Sequence, residues 1–378
     1  MNSKRFQLAI LGDGQLATML KESAENLNVD IKIFPLPKIN NEGEISQDET
    51  KNWIKDLAYF DAVTFEIENI PVNFLREIEK TVRISPSIYA LEVAQDRLKE
   101  KNLCDQLSIP TNNYFACESL NDLNSASLQL DFPFILKTRR FGYDGKGQFV
   151  IKNNNEIKEA WDELKNAKYL IAESFVSFDF EVSQIATRNQ NGEIVYYPLV
   201  RNEHREGILR ETHVLDFPNN LVLEAKETIK TILEHFNYIG TLAVEFFVKE
   251  NQLFVNEMAP RVHNSGHWSI NGTQASQFEN HIRAVCGFDL GSSQTIAKNM
   301  MMINLIGEDV PESLQVERLG VYSKSYHKGL RENRKMGHIN IVSNDINDFK
   351  EKVDLIYEEI NAKPCLSIDK NKKDYRLA

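Results

Sequence analysis

A predicted β-hairpin that carries one acid in each strand constrains this chain more than any other feature. It opens the stretch from Thr241 to Trp268, where apolar runs at 242–248 and 253–255 flank a short polar turn. This pattern is typical of two antiparallel strands joined by a tight connection. The acids, Glu245 and Glu257, interrupt strands that are otherwise apolar. A chain that folds this way has to place two charged groups on an apolar sheet.

The length of the turn decides where these acids point. Side chains alternate faces along a strand, so Glu257 is expected to share a face with Leu253 and Val255. With an odd number of turn residues, Glu245 and Glu257 fall on one face, diagonally across the ladder. Two like charges that close are unfavourable unless a cation lies between them, and hard oxygen ligands favour Mg²⁺. The alternative is a pair of solvated acids at a sheet edge.

A dense polar run follows the hairpin, at the end of a strand, where active-site loops commonly begin. Its members are Arg261, His263, Asn264, Ser265, His267 and Trp268. The run favours the metal-binding interpretation of the acids.

Composition argues against several classes of protein. At 378 residues the chain is expected to form two or three domains. A net charge of −11 argues against general binding to nucleic acids or anionic membranes, although it leaves room for a local basic pocket. Four scattered cysteines favour free thiols in a reducing compartment, and neither a signal peptide nor a membrane span is predicted. We therefore expect a cytoplasmic protein without nucleic-acid or membrane partners.

The N-terminal segment predicts alternating strands and helices, and hence a parallel, doubly wound sheet. Strands are expected at 6–11, 29–34, 61–67 and 81–84, and helices from the glycine turn to about Leu27 and at 71–80. The turn GDGQLA matches a dinucleotide fingerprint, but Pro35 stands where a ribose-binding acid would be needed. The glycine turn is therefore expected to meet a phosphate or simply to pack tightly. Glu66 and Glu68 end the third strand, either as ligand-binding or as solvated acids.

The middle of the chain predicts a glycine flap between two strands. A strand at 132–140 leads into FGYDGKGQ at 141–148 and then into a strand at 149–152, which is not the order of a Walker A motif. Glycines allow close backbone approach to phosphate, and Lys137 and Lys146 supply charge. A phosphate-covering flap is favoured over a plain flexible hairpin.

Other segments bring further candidate elements. A single long helix from Ser87 to Leu107 is expected to bear Arg97, and a strand pair at 194–200 and 207–214 is expected around a connection at 201–205. Strands at 169–176 and 180–187 carry Glu173 and Glu181, as nucleotide-binding or surface acids. The helix at 274–286 is expected to expose His281 and Arg283.

The C-terminal part predicts strands at 300–306, 320–326 and 339–342 and a helix at 347–361. Between them lies a cationic cluster of Lys328, Arg331, Arg334 and Lys335, which is either a phosphate-monoester pocket or solvated loop charge. A carboxylate pair for Mg²⁺, phosphate-binding lysines and a glycine flap together favour ATP as a phosphoryl donor.

Several motifs carry a resemblance to the ATP-grasp enzymes and, within them, to the family of ATP-dependent 5-(carboxyamino)imidazole ribonucleotide synthases. They are GDGQL, TFEIENIP, QDRL, KTRRFGYDGKGQ, NEMAPRVHNSGHW, MINLIG and RKMGH, and they span nearly the whole chain. The resemblance implies an α/β and α+β fold. Its parts would be a doubly wound pre-ATP-grasp domain at 1–109, an ATP-grasp domain at 110–297 and a small β-rich domain at 298–378.

The implied activity is that of a ligase in purine biosynthesis. It would carboxylate 5-aminoimidazole ribonucleotide with bicarbonate, through carboxyphosphate, and convert ATP to ADP and phosphate. ATP and Mg²⁺ would be required, and a homodimer is expected. The alternatives are another ATP-grasp carboxylate–amine ligase, such as formate-dependent glycinamide ribonucleotide transformylase, and a non-catalytic ATP-binding regulatory protein.

The resemblance also implies a role for each matching residue. Tyr143, Arg261 and His263 would face bicarbonate and carboxyphosphate, and Glu245 and Glu257 would hold Mg²⁺. The substrate-binding residues would be Gln15, Glu66, Glu68, Asn264, Ser265, Lys328 and Arg334. The ATP-binding residues would be Arg97, Lys137, Gly142, Tyr143, Asp144, Gly145, Lys146, Gly147, Gln148, Glu173, Ser174, Phe175, Val176, Glu181, His204, Asn256 and Glu257.

Two places depart from the family pattern. Ala17 and Thr18 stand where glycine and arginine are usual, which removes a cation near the ribonucleotide end of the site. Phe141 replaces a common glycine before the flap and would stiffen it.

Overall fold

The computed structural model describes residues 4–39, 43–140, 147–167, 169–307, 319–329, 331, 333–360, 362 and 364–365. Within these ranges no helix is both long enough and apolar enough to cross a membrane. The described residues form a parallel sheet, a short antiparallel sheet and a long antiparallel sheet. This is the mixed architecture that the sequence predicts.

The N-terminal part alternates strands and helices, as predicted. Its elements are β1 (Phe6–Leu11), α1 (Gln15–Ser23), β2 (Val29–Phe34), α2 (Gln47–Leu57), β3 (Ala62–Phe65), α3 (Val72–Glu79), α4 (Ile88–Ala94) and α5 (Arg97–Gln106). The strands are parallel, in the order β2-β1-β3. Leu8 and Ile10 of β1 pack into one apolar cluster, and Ala9 and Leu11 pack into another. Because both of its faces are covered there, β1 is apolar and fully buried from Leu8 to Leu11.

Three predictions in this part are wrong in detail. The segment 81–84 makes an isolated bridge, between Ile84 and Val63, instead of a strand. Helix α1 ends at Ser23, and turns occupy residues 24–28, although the helix was predicted to continue to about Leu27.

The predicted helix from Ser87 to Leu107 is broken in two, before Arg97. The carboxylate of Asp96 accepts the Leu98 N–H at 3.0 Å and so caps a new helix. The same carboxylate accepts two bonds, at 2.9 and 2.6 Å, from the Arg139 guanidinium. An aspartate with partners outside the helix therefore ends one helix and starts the next.

The next segment forms the short antiparallel sheet, against which two helices pack. Its elements are β4 (Tyr114–Cys117), α6 (Leu120–Ser127), β5 (Phe134–Thr138), β6 (Gln148–Ile151), α7 (Ile157–Leu164) and β7 (Leu170–Ser174), with strand order β4-β7-β5-β6. The predicted flap lies between β5 and β6, which pair with each other as expected.

The long antiparallel sheet takes up most of the remaining chain. Its elements are β8 (Phe180–Arg188), β9 (Ile194–Tyr196), β10 (Val200–Arg205), β11 (Ile208–Val214), α8 (Asn219–His235), β12 (Gly240–Lys249), β13 (Gln252–Ala259), α9 (Ser269–Gly272), α10 (Gln277–Cys286), β14 (Asn299–Ile306), β15 (Val321–Ser325), β16 (Lys335–Ser343) and α11 (Ile346–Glu359). The strand order is β13-β12-β8-β10-β11-β14-β16-β15, and β9 pairs with β8. The C-terminal strands therefore extend the sheet that carries the acidic hairpin.

The segment 201–205, predicted as a connection, instead belongs to β10 and pairs with both β8 and β11. Its side chains form hydrogen bonds or ion pairs, although only Asn202 is buried. Asn202, for example, donates to the Ser183 hydroxyl and accepts from Thr212. A polar sequence forms an interior strand here because each polar side chain has a partner.

The prediction that His281 lies on the helix surface is also wrong. His281 is fully buried and joins the parallel sheet to β12. Its Nδ1 accepts the Thr241 N–H at 3.2 Å, and its Nε2 lies 2.8 Å from the Thr64 hydroxyl. Burial lowers the pKa of His281 to about 3, so the ring is neutral.

Candidate active site

The acidic hairpin places Glu245 and Glu257 directly opposite each other. Its turn has two residues, Glu250 and Asn251, with φ values of 51° and 60°. Such a turn keeps a regular register, and the pairing is regular up to Phe246. The register then shifts by one residue before the two acids pair.

Asn256 is the extra residue of a β-bulge at this shift. Residues directly opposite each other in an antiparallel pair point to the same face, so the two acids converge as predicted. The predicted cause, an odd number of turn residues, is wrong. Glu257 also does not share a face with Leu253 and Val255, which are 2% exposed and belong to the apolar core, whereas Glu257 is exposed.

The strands beside the hairpin add two more ionisable groups to this face. The Nδ1 of His204 on β10 lies 2.7 Å from the Glu181 carboxylate on β8. Burial and the nearby Glu257 carboxylate raise the pKa of Glu245 to about 7. Burial alone would lower the pKa of His204, but the surrounding carboxylates raise it.

The donor set fits Mg²⁺ better than a softer metal. Among the described residues, no group of three or more His, Cys, Asp or Glu side chains is arranged to hold a metal ion. A pair of carboxylates leaves the remaining positions to phosphate and water oxygens, which is how Mg²⁺ is usually bound.

Lys137 on β5 points to Glu173 on the neighbouring strand β7. Their ion pair is 2.8 Å long, with side-chain exposures of 16% and 3%. Asn112 donates a further bond to the same carboxylate at 3.0 Å. Burial alone would raise the pKa of Glu173, but Lys137 and Lys101 outweigh it and lower the pKa to about 2. Glu173 is therefore a charged anchor for the lysine.

Other predicted ATP-binding residues lie at the start of α5 and at the end of β7. Arg97 begins α5 and donates to the Thr138 carbonyl at 2.9 Å. After Glu173 the chain leaves β7 through Ser174, Phe175 and Val176, and the Phe175 ring is 48% exposed. An aromatic ring that exposed can pack against a flat ligand.

The flap is described only at its far end. Gly147 has a φ of 71°, and a Cβ atom there would lie 2.9 Å from Thr138 Oγ1, so this position requires glycine. Gln148 follows as the first residue of β6. The other flap predictions, Gly142, Tyr143, Asp144, Gly145 and Lys146, together with the departure at Phe141, lie outside the described residues.

Arg261 and His263 extend the acidic face toward the parallel sheet. The Arg261 guanidinium pairs with Glu68 at 2.8 Å. The Nδ1 of His263 accepts the Ser265 N–H at 3.3 Å, and its Nε2 lies 3.6 Å from Glu245. Burial and Arg261 lower the pKa of His263, so the neutral ring carries its proton on Nε2, toward Glu245.

The next two predicted residues differ in their environment. The Ser265 side chain is fully buried, and its hydroxyl lies 2.8 Å from Nδ1 of His263, so it orients that ring. The amide group of Asn264 is buried and has no hydrogen-bond partner among the described residues. Such a group is costly unless a bound molecule or water satisfies it.

The predicted ribonucleotide residues come from opposite ends of the chain. Lys328, from the loop after β15, donates to the Gln15 side chain at the start of α1. Burial and the charges of Arg334 and Lys335 lower the pKa of Lys328, with Glu66 opposing them. Arg334 is exposed and donates weakly to the Gly329 carbonyl at 3.3 Å. The crowded positive charges favour an anion here.

Glu66 packs beneath the glycine turn and is 3% exposed. Its carboxylate accepts the Gly14 N–H at 2.9 Å. Cβ atoms at Gly12 and Gly14 would lie 2.7 and 2.6 Å from the Glu66 side chain. Of the two interpretations of this turn, the structure favours tight packing, because a carboxylate already lies at the start of α1.

Sequence reasoning placed Lys335 in the cationic cluster but gave it no role in the site. It is the first residue of β16 and is half-buried. Its positive charge acts to lower the pKa of Glu245, His263 and Lys328.

Family models match three consecutive parts of the chain. Residues 6–95 match the ribonucleotide synthetase preATP-grasp domain, and residues 102–278 match the ATP-grasp domain. Residues 300–352 match the phosphoribosylaminoimidazole carboxylase C-terminal domain. The second match covers the short sheet and part of the long sheet, and the third match covers C-terminal strands of the same long sheet.

Known proteins resemble the chain over most of its length. The N5-carboxyaminoimidazole ribonucleotide synthase of Vibrio cholerae is 38% identical over 92% of this chain and 94% of that protein. The crystal structure of the synthetase from Thermus thermophilus superposes with a TM-score of 0.85 at 35% identity, covering 94% of this chain and 99% of that one.

A structure of the synthase from Aspergillus clavatus, described as a complex with ADP and 5-aminoimidazole ribonucleotide, has a TM-score of 0.83 at 25% identity. It covers 95% of this chain and 99% of its own. Sequence identity and fold agree from one end to the other. The chain belongs to the N5-carboxyaminoimidazole ribonucleotide synthase family.

Proposed function

We propose that this chain carboxylates the amine of 5-aminoimidazole ribonucleotide with bicarbonate, using ATP, in purine biosynthesis. The products would be N5-carboxyaminoimidazole ribonucleotide, ADP and phosphate. The observation that carries the proposal is the direct pairing of Glu245 with Glu257 on the face that His263 borders. The names of the relatives and the ligands of the A. clavatus structure support it.

The nucleotide would bind between the two antiparallel sheets. Lys137, held by Glu173, would contact a phosphate, and Arg97 would add a second cation. The flap that ends at Gln148 would cover the phosphates. The exposed ring of Phe175, with its neighbours Ser174 and Val176, would lie along the base, and Glu181 and His204 would face the ribose side.

The hairpin would supply the metal site. Mg²⁺ bound by Glu245 and Glu257, with Asn256 beside them, would neutralise charge on the β- and γ-phosphates. The register that places both carboxylates on one face prepares this site before the nucleotide arrives. No carboxylate has to move across the strand.

The activation step would form carboxyphosphate. A bicarbonate oxygen would attack the γ-phosphorus of ATP, and ADP would leave. Arg261, fixed by Glu68, and the Nε2–H of His263 would stabilise the negative oxygens. Because His263 already carries its proton on the side of the reactants, its role is that of a hydrogen-bond donor and not of a base. Tyr143 would lie over the same atoms if the flap closes.

The transfer step would join the amine to the activated carbon. The amine nitrogen would bond to the carbonyl carbon of carboxyphosphate, phosphate would leave, and the amine would lose a proton. Gln15, Lys328 and Arg334 would hold the ribonucleotide, the two cations at its phosphate. The unsatisfied amide of Asn264 would meet a substrate oxygen or nitrogen. Exclusion of water would protect the intermediate.

The cellular setting follows from the family. We infer a cytoplasmic homodimer, since the family is expected to pair and purine biosynthesis uses soluble metabolites.

The test is ADP release in the presence of Mg²⁺ and bicarbonate. We expect strong stimulation by 5-aminoimidazole ribonucleotide and none by glycinamide ribonucleotide or biotin. Stimulation by glycinamide ribonucleotide would reassign the chain to another ATP-grasp ligase. ATP binding without ADP production under any of these conditions would indicate a regulatory nucleotide-binding protein.

A further inference from the structure

Two charged residues outside the site, Glu100 and Lys101, are buried against the strand that carries Glu257. They are consecutive in α5 and are 2% and 1% exposed. Charged side chains are rarely buried without specific partners. Here the partners are main-chain groups of β13, which is the edge strand of the long sheet.

The ammonium group of Lys101 bonds to two consecutive carbonyls of the bulge. It lies 3.0 Å from the Val255 carbonyl and 2.9 Å from the Asn256 carbonyl. A third bond, of 2.7 Å, goes to the Thr111 hydroxyl. All three N–H groups of the lysine are therefore used at this one place.

The carboxyl group of Glu100 binds the backbone on the C-terminal side of the bulge. It accepts the Met258 N–H at 2.6 Å. The Val255 N–H also points to this edge, since it donates to the Pro110 carbonyl at 2.8 Å. In a regular strand the next N–H on this edge would belong to Glu257, two residues further on. Because the bulge adds one residue, the next N–H on this edge belongs to Met258 instead, and the Glu100 carboxyl group accepts its hydrogen bond.

We propose that Glu100 and Lys101 are positioning residues that hold the bulge at Asn256 and so keep Glu257 opposite Glu245. The inference rests on the proposed metal-binding role of these two glutamates. Without the bulge, Asn256 would pair with Glu245, and Glu257 would turn to the other face of the sheet. The helix that begins with the ATP-side residue Arg97 thus also sets the geometry of the metal site.

The chain offers a conservative substitution for Glu100. Burial raises the pKa of this carboxyl group well above its usual range, which favours the neutral form. Glutamine matches that form in size and charge, and its amide oxygen can accept the Met258 N–H. Leucine has a similar size but cannot accept a hydrogen bond.

Two measurements test the proposal. The first is the factor by which Mg²⁺ tightens ADP binding, from isothermal titration calorimetry with and without the metal. The second is hydrogen–deuterium exchange of the segment 255–258. Lys101→Met and Glu100→Leu are expected to reduce the Mg²⁺ factor by about tenfold or more, because residues that orient a ligand commonly contribute that much. ADP affinity without Mg²⁺ should stay unchanged, and exchange at Met258 should accelerate. Glu100→Gln should match the wild type in both measurements.

Matched variants separate the possible outcomes. Lys99→Met, on the exposed side of α5, should match the wild type, and Thr111→Val replaces Lys101→Met if the latter does not fold. An unchanged Mg²⁺ factor in Glu100→Leu, or an equal loss in Lys99→Met, would overturn the positioning role. If Glu257→Gln also keeps the full Mg²⁺ factor, the proposed metal site itself is wrong. If the Mg²⁺ factor falls in Glu257→Gln but not in Glu100→Leu or Lys101→Met, the proposed metal site is supported and only the positioning role is rejected.

Discussion

The proposed nucleotide end of the site, around Lys137 and Glu173, consists of buried charges. The proposed ribonucleotide end, around Lys328 and Arg334, consists of partly exposed charges. At the nucleotide end, Lys137 and Glu173 pair at 2.8 Å, with side-chain exposures of 16% and 3%. At the ribonucleotide end, Lys328 and Arg334 form no ion pair with a carboxylate in the part of the chain that the structure describes.

This difference has an energetic meaning. Buried charges have to be compensated within the protein, since an isolated ion in the interior is very costly. Exposed cations are compensated by water and mobile ions, so they need no carboxylate partner in the protein before an anionic ligand binds. The nucleotide end is thus held in position in advance, while the ribonucleotide end depends on its substrate to complete the charge balance.

Removal of a carboxylate from the proposed metal site should have the largest effect. We expect Glu257→Gln to lower ADP release on the order of 1,000-fold, because charge stabilisation by a positioned group is worth that much. The side chain is exposed, so the free energy of unfolding should stay within about 0.5 kcal/mol of the wild type. Turnover assays and urea unfolding check both expectations. Glu250→Gln, in the turn of the same hairpin, is the control and should keep full activity.

Removal of a buried anchor should cost stability. Glu173→Gln leaves Lys137 and Lys101 without their carboxylate, and we expect a loss of about 3 kcal/mol in the free energy of unfolding near pH 7. Because the pKa of Glu173 is lowered to about 2 from a usual 4.5, its stabilisation is complete above pH 4.5 and is lost as the pH falls through 2.

Urea unfolding at a series of pH values measures this difference. The gap between wild type and Glu173→Gln should be constant from pH 8 to 5 and narrow at lower pH. Glu77→Gln removes an exposed pair with Lys80 and should change stability by less than about 0.5 kcal/mol. A gap that widens in acid would contradict the assignment of Glu173 as a charged anchor.

Features set by local periodicity could be predicted from the sequence, whereas features set by distant contacts could not. The convergence of Glu245 and Glu257 depends on the bulge at Asn256. The hairpin and the parallel sheet follow from local periodicity, so they were predictable. The bulge at Asn256 was not, because its cause lies in α5, more than a hundred residues away in sequence. The right geometry was predicted for a wrong reason.

Polar residues were the most difficult to place. His281 was expected on a helix surface, yet its hydrogen-bond partner Thr64 is 217 residues away. The segment 201–205 was expected to be a connection, yet its polar side chains pair across neighbouring strands. Composition and pattern indicate that a residue is polar but not which distant group will satisfy it.

A cation at the ribonucleotide end should affect binding more than chemistry. We expect Lys328→Ala to raise the KM for 5-aminoimidazole ribonucleotide about tenfold, the value of one charge-assisted hydrogen bond, with little change in kcat or in the KM for ATP. Arg331→Ala, on the same loop, is the control and should have a smaller effect. Steady-state kinetics with each substrate varied in turn checks this. A fall in kcat with an unchanged KM for the ribonucleotide would place Lys328 in the chemical step instead.

The smallest expected effect is that of salt. It should weaken ribonucleotide binding at the exposed end and change the buried ion pair at the nucleotide end little. Mobile ions screen exposed charges strongly and buried pairs weakly. Raising KCl from about 0.05 M to about 0.5 M should therefore raise the KM for the ribonucleotide a few-fold, since Lys328 and Arg334 are proposed to meet its phosphate near solvent. In Lys328→Ala this salt dependence should become shallower, because one of the screened charges is gone. The free energy contributed by Lys137 and Glu173 should change little over the same range. If salt weakened that buried pair as much as ribonucleotide binding, the two ends would not differ in the way their burial indicates.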